Sequence, residues 1–318
     1  MRIGFKLIAE GYGPKEIVRQ AVAAEQAGFD FVEVSDHYHP WLFSQQHSGY
    51  AFSMLGAMAH ATESIELATG VTAPIQRQYP AIVAQAAATL GVLSGGRFTL
   101  GLGSGERLNE HVTGEGWPSV TVRHEMLREA IEIIRLLWQG GYQSYRGRHF
   151  TLDDARVFDL PEAPPRIVVA AGGDRAAKIA AELGDALFAT EAKPELVEAY
   201  RRAGGSGPRY AEVPLSYAAT EQEAAESAHH LFRFGLLGWK LMSELPNPIN
   251  FEAAASWIGV EDVRQAFGCG PDVQRHLEVA GQFADAGFDH LALINAGPDM
   301  DAFFEHAEAS LIPALRDR

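Results

Sequence analysis

The chain has 318 residues, 47% hydrophobic and 21% charged, with a formal net charge of -15. This is an ordinary soluble globular composition, and its acidic balance argues against nucleic acid or an anionic membrane as a partner. The single cysteine, Cys269, excludes an internal disulfide and any cysteine-based metal cluster.

The first residues, Met1-Arg2-Ile3-Gly4-Phe5, read as a strand and carry no signal-peptide pattern. No apolar run approaches membrane-spanning length, so a cytoplasmic setting is expected. Alternation of apolar runs then predicts strands at 3–8, 31–35, 65–72, 97–102, 166–170, 185–189, 211–217 and 290–295. Helical periodicity falls between them, near 14–27, 52–62, 80–93, 120–139, 174–183, 194–203, 220–235 and 273–286, with a closing helix at 299–315. One phrase recurs at both ends of the chain, Ala27-Gly28-Phe29-Asp30 and Ala286-Gly287-Phe288-Asp289. In each, Gly ends a helix and the chain enters a buried strand. Eight strands alternating with helices predict a (β/α)8 TIM barrel in one domain, with a doubly wound open sheet as the competing architecture. Residues 141–160 read as an inserted hairpin turning at Arg146-Gly147-Arg148. Residues 236–268 read as an excursion over the barrel mouth.

Chemistry-bearing residues collect where these strands end. After the second strand come Ser35-Asp36-His37-Tyr38-His39-Pro40-Trp41, which combine proton chemistry near neutral pH with a flat indole face. The alternative is a polar loop with a capping Asp and a half-buried Trp. After the fourth strand come Gly101-Leu102-Gly103-Ser104-Gly105-Glu106-Arg107-Leu108-Asn109-Glu110. Its glycines allow close backbone approach to a ligand, yet it is no dinucleotide fingerprint, because the sixth position is Glu106. A tight turn with Glu106 in a helix's first turn reads equally well. Ala170-Ala171-Gly172-Gly173-Asp174-Arg175 opens a helix as an anion cradle, or as a plain strand-to-helix turn. Ala68 to Pro74 reads as an ordinary strand end, or as backbone offered to a flat ligand. Asp36, His37 and His39 also suit a metal, but the later strand ends supply no further ligands.

These motifs resemble the luciferase-like superfamily of flavin and deazaflavin oxidoreductases, and within it the coenzyme F420-dependent glucose-6-phosphate dehydrogenase group. The resemblance rests on Ser-Asp-His-x-x-Pro-Trp at 35–41, Gly-x-Gly-Glu-x-Leu-Asn-Glu at 103–110, Tyr-Pro-Ala-x-x-Ala-Gln at 79–85, and Ala-Ala-Gly-Gly at 170–173. It implies a homodimer with F420 in the barrel mouth, close relatives using FMN instead. Carried over residue by residue, it puts Asp36 on the deazaflavin ring, a cis peptide at Gly70-Val71 behind the ring, and Gly172 and Gly173 near the phosphate tail. Ala73, Ser104, Asn109 and Ala171 complete the implied cofactor contacts. His37 is the implied general base or holder of developing charge, Glu106 manages ring protonation, and Trp41 and Asn109 position the reacting carbon. Thr190, Glu191, Lys193 and Lys240 fall on the implied substrate side. There the chain departs from the sugar-phosphate pattern: Glu191 stands where a small hydroxyl residue is expected, Leu241 follows Lys240, and Gln265-Ala266 replace an expected arginine. A carboxylate beside a phosphate is repulsive, so an alcohol, another sugar or a ketone is expected in place of glucose 6-phosphate.

Overall fold

The structure is a computed structural model and describes residues 1–317. Eight parallel strands close on one another: β1 (Arg2–Leu7), β2 (Phe31–Val34), β3 (Glu66–Thr69), β4 (Phe98–Leu102), β5 (Arg166–Ala170), β6 (Ala186–Ala189), β7 (Arg209–Ser216) and β8 (His290–Asn295). Each pairs with its sequence neighbour, β8 pairs with β1, and the circle is complete. The expected TIM barrel is therefore present and the open sheet is excluded. Among the described residues no helix is long and apolar enough to cross a membrane.

The recurring Gly-x-Asp phrase has a local cause. Gly28 and Gly287 adopt φ of 85° and 98°, a left-handed conformation that glycine takes at no steric cost. The aspartate that follows then ties two strands together. Asp30 donates its N–H to Ile3 O at 2.7 Å and accepts from Ile3 N with its carboxylate at 2.7 Å. Asp289 does the same with Arg209, at 3.0 and 2.9 Å. Asp185, after Gly184, does it with Ile167, at 2.7 and 2.8 Å. Three of the four odd–even strand pairs are thus fastened at their N-terminal ends.

The barrel's inside is layered. At the bottom Phe31, Val168, Phe188, Tyr210 and Ala292 pack together. Gly4 is required there, because a Cβ would lie 2.3 Å from the Phe31 ring. Two residues further along β1, β2 and β7, the period of a strand, stand Lys6, Glu33 and Glu212, and the open end lies above them. Outside, Phe5, Phe29, Phe303 and Phe304 interlock with centroid spacings between 4.9 and 6.1 Å.

The closing helix departs from the expected single run. Helix Met300–His306 passes through a π-helical turn, Ala307–Leu311, into Ile312–Arg316. Pro313 has no N–H to donate, which favours a wider turn before it. The expected hairpin forms from Gln143–Arg146 and Thr151–Ala155. The 236–268 excursion contains three short helices, Trp239–Met242, Pro248–Ala254 and Val260–Ala266.

Candidate active site

A cavity of about 740 Å³ opens at the C-terminal ends of the barrel strands, where this fold builds its sites. Strand ends supply Glu10, His37, Trp41, Glu106 and the Ala170–Ala176 turn, while Phe234, Trp239, Lys240 and Met242 from the excursion form one wall. The Gly70-Val71 peptide, also on the wall, is cis as the resemblance implies.

His37 is the centre of this arrangement. It is buried, with Nε2 2.9 Å from Glu106 Oε1 and Nδ1 2.5 Å from Glu10 Oε1. The Glu10 contact is an ion pair without the alignment of a hydrogen bond. Burial disfavours the charged imidazole, but the two carboxylates outweigh it and push His37 up to about 10. In turn His37 draws Glu10 and Glu106 below their ordinary range, although burial opposes this. The resting residue is therefore an imidazolium held between two carboxylates. An imidazolium donates a proton or holds charge, and acts as a base only after it has been deprotonated. Trp41 packs edge-on against His37 at 4.9 Å and stacks on Phe234 at 4.9 Å and 14°.

Four residues expected in the site do not reach the cavity wall. Asp36 is turned away, its carboxylate buried 3.1 Å from Arg77, which also donates to the Asp36 carbonyl at 2.6 Å. Asn109 is buried behind the loop: its amide oxygen accepts from Tyr38 and His39 N–H at 2.7 and 3.1 Å, and its NH2 donates to Glu106 Oε1 at 2.9 Å. It joins the 35–41 and 103–110 motifs and orients Glu106. Ala73 packs under Gly105. Lys193 is half exposed and donates to Glu191 Oε2 at 2.7 Å, so the acid neutralises the lysine meant for an anion. Gly70, Val71, Ser104, Ala171, Gly172, Gly173, Thr190, Glu191 and Lys240 do line the cavity.

Gly101 at the end of β4 and Gly103 just after it also answer a packing need, while Gly103 and Gly105 line the cavity. A Cβ at Gly101 would lie 2.0 Å from Thr69 O and one at Gly103 2.8 Å from Val71 Cγ2, so they admit the neighbouring strand end. The other glycine turn does have the form of an anion cradle. Gly172 leaves room for the Trp239 indole, since a Cβ there would lie 3.1 Å from it, while a Cβ at Gly173 would meet nothing within 4 Å. Gly173 precedes helix Asp174–Leu183, whose first turn has no side-chain cap. Arg175 lines the cavity beside it, and Arg123, buried on the same wall, pairs through Nη2 with Glu244 at 2.9 Å and leaves Nε and Nη1 without protein partners. Free helix N–H groups with unpaired guanidinium donors fit a phosphate group.

Reading the sequence by motif missed Glu10, Lys6, Glu33, Glu212, Arg77 and Arg123. Lys6, Glu33 and Glu212 carried a signal, being charges inside otherwise apolar strands. Glu10 did too, standing just past β1 as Asp36 stands just past β2.

The geometry sets a buried histidine between two carboxylates on the wall of a cavity that also holds a glycine turn at a helix N-terminus. Residues 1–290 match the luciferase-like monooxygenase family, and the chain belongs to it. It is 34% identical over 331 residues to the F420-dependent glucose-6-phosphate dehydrogenase of Rhodococcus erythropolis, covering 99% of this chain and 98% of the relative. With the enzyme of the same name from Nocardia farcinica the figure is 35%, with the same coverage. Among solved structures, an F420-dependent secondary alcohol dehydrogenase in complex with an F420–acetone adduct superposes with a TM-score of 0.92 at 31% identity over 99% of both chains. The coenzyme F420-dependent tetrahydromethanopterin reductase of Methanopyrus kandleri, at 0.78 and 21%, shares the fold.

Proposed function

We propose that this protein is an F420-dependent oxidoreductase that moves a hydride between an alcohol or sugar carbon, or the corresponding carbonyl, and C5 of the deazaflavin. In this reading it is not specific for glucose 6-phosphate. The observation that carries the reading is the His37 imidazolium between Glu10 and Glu106 on the wall of a cavity that also holds the Gly172-Gly173 cradle. Full-length identity with F420-dependent relatives supports the cofactor.

F420, when bound, supplies the hydride-accepting or hydride-donating carbon. Gly172, Gly173, Arg175 and Arg123 would hold its phosphate, and Gly70, Val71, Ser104 and Ala171 would border its flat part. The protein's own work is on the substrate oxygen. Both ring nitrogens of His37 face carboxylates. A substrate oxygen reaches an N–H by displacing Glu106, whose side chain is 12% exposed against 4% for Glu10. His37 then donates a proton to a carbonyl oxygen, the direction that its resting charge favours. Alcohol oxidation requires the imidazolium to lose its proton first, so it rises with pH. Trp41 and Phe234 wall the substrate carbon, and Asn109 keeps Glu106 in place.

Glucose 6-phosphate fits poorly in this reading because Lys193 lies off the cavity wall and is spent on Glu191, which borders the cavity instead. The homodimer and cytoplasmic setting belong to the same reading. Exposed Phe43, Ile249 and Trp257 supply apolar surface of the kind an interface covers, and sedimentation at several concentrations tests it.

The test is a fluorescence-quench titration with F420 and, separately, with FMN, followed by an alcohol, sugar and ketone screen read at the F420 absorbance band. Tight F420 binding with weak FMN binding is expected. The reverse moves the protein to the FMN branch of the family. His37→Ala and Glu106→Gln are expected to lower turnover at least about 100-fold, the scale of general acid–base help, with cofactor affinity little changed. Equal loss of cofactor binding in both removes their catalytic assignment.

A further inference from the structure

Beneath the cavity lies a buried charged layer that the reaction above does not use. Lys6 Nζ donates to Glu212 Oε1 at 2.5 Å and to the carbonyl of Gly70 at 2.6 Å, while Glu33 Oε1 is 3.8 Å away and has no hydrogen-bond partner. Lys6, Glu212 and Gly70 line the cavity, and Glu33 lies just behind them. One cation thus faces two carboxyl groups in a space with little water. An uncompensated carboxylate there costs several kcal/mol, so one of the two stays protonated. Contact selects Glu33 as the neutral one: burial pushes it up to about 8, with Lys6 opposing and Glu212 adding to the rise. For Lys6, burial works against the ammonium, and the contact with Glu212 outweighs it, helped by Glu10. The layer is therefore a balanced Lys6–Glu212 pair packed against a neutral acid.

Hydrophobic side chains fill such a position in a barrel more cheaply, so the arrangement needs a reason beyond packing. The Gly70 carbonyl supplies one. Gly70 is pressed onto the layer so closely that a Cβ would lie 3.0 Å from Glu33 Cδ and 3.2 Å from Lys6 Nζ. On its other side the Gly70-Val71 edge lines the cavity. Glu33 is the register partner of Lys6 on β2 and of Ala68 on β3, so the pressure on Gly70 comes from rigid, adjacent strands.

We propose that Lys6 is a positioning residue for the cofactor: anchored by Glu212, its ammonium grips the Gly70 carbonyl from below and fixes the Gly70-Val71 edge on which a planar heteroaromatic ring rests. This rests on the F420 reading above. Lys6 touches no reacting atom in it. It acts through Gly70, as a support that keeps a contact surface within a fraction of an ångström of its working position.

A single Lys6→Met change would strand Glu212 as a buried unpaired charge, so the test uses the charge-balanced pair Lys6→Met/Glu212→Gln. Two readouts are made. The first is the carbonyl 13C chemical shift of Gly70 in cofactor-free protein labelled with [1-13C]glycine, which reports the Lys6 hydrogen bond directly. The second is the F420 dissociation constant by fluorescence quench, with the His37 titration followed alongside. The expected result is a displaced Gly70 resonance and at least a tenfold weaker F420 affinity, with the His37 titration unchanged. An unmoved Gly70 resonance, or F420 affinity within twofold of the wild type, overturns the proposal and leaves the F420 reading standing. Failure of the wild-type protein to bind F420 at all overturns both. If the pair does not fold, Lys6→Gln/Glu212→Gln, which strands no charge and keeps only a neutral donor for Gly70, is measured the same way: a displaced Gly70 resonance with weakened F420 binding supports the grip, and a displaced resonance with F420 affinity within twofold of the wild type overturns it.

Discussion

The charge on His37 is open to direct test through Glu10→Gln, which keeps the shape of the partner and removes its charge. The rise of His37 from an ordinary 6.5 to about 10 corresponds to roughly 5 kcal/mol in favour of the imidazolium. Two carboxylates share that work against the opposing effect of burial. An opposite charge in contact is worth about 1–3 pH units of titration. Losing Glu10, the nearer of the two, is therefore expected to bring the His37 midpoint down to roughly 7–9. The assay is NMR titration of histidine-labelled, cofactor-free protein, with the His37 signal assigned by its loss in His37→Ala. A wild-type midpoint near 6.5, or a midpoint unmoved in Glu10→Gln, refutes the reasoning.

The same shift sets a sign for stability. A group whose pKa is raised on folding contributes fully below its unfolded value and loses that contribution as pH rises through the folded one. For His37 the loss falls between 6.5 and about 10. Glu10 and Glu106 are lowered on folding, so their contribution is present above the ordinary value of 4.5 and is lost as pH falls below it. The difference in Tm between wild type and Glu10→Gln is accordingly greatest between about pH 5 and 7 and shrinks toward pH 10. In turnover, carbonyl reduction by the variant should fail at a lower pH than in the wild type, and alcohol oxidation should rise at a lower pH.

Arg77→Met leaves the buried Asp36 and Glu110 carboxylates without their shared cation. Breaking such a pair costs about 3–5 kcal/mol, which for a chain of 318 residues is a fall in Tm of roughly 4–8 °C. The fall should lessen at pH 5, where Glu110, already pushed up to about 7 by burial, is protonated; an unchanged Tm at pH 8 contradicts the argument. Glu191→Ser should release Lys193 and raise any residual kcat/KM on phosphorylated sugars by about three- to fivefold, the worth of a half-exposed ion pair. No gain would mean that neutralisation by Glu191 is not what excludes them.

The barrel was legible because its signals are local. Strands buried on both faces read as apolar runs, and Gly28 and Gly287 end their helices through a backbone conformation that the residue type itself announces. The loops bearing His37 and Glu106 were legible because each packs its chemistry into a few consecutive residues. What escaped is non-local. Asp36 looked like a ligand contact in a motif, yet Arg77, some forty residues on, claims it. The excursion at 236–268 gave no helical periodicity because its helices span only four to seven residues, too short for a repeating face.

The buried charges around the cavity follow one plan, and the exception in it locates the chemistry. Three cations each face two acids: Lys6 with Glu33 and Glu212, Arg77 with Asp36 and Glu110, His37 with Glu10 and Glu106. In the first two groups burial raises one acid, Glu33 to about 8 and Glu110 to about 7. The excess negative charge there is partly or wholly quenched by a proton. In the third, both acids are drawn down and the imidazole is drawn up. Only this group keeps a full uncompensated negative charge at neutral pH, and it keeps it around the one cation of the three that can itself release a proton near the working range. It is also the group with all three members on the cavity wall. A buried charge imbalance is expensive anywhere in a fold. Its retention where a substrate oxygen can enter, and its suppression in the two neighbouring groups, is the arrangement expected if proton transfer at His37 is what the barrel is built to support.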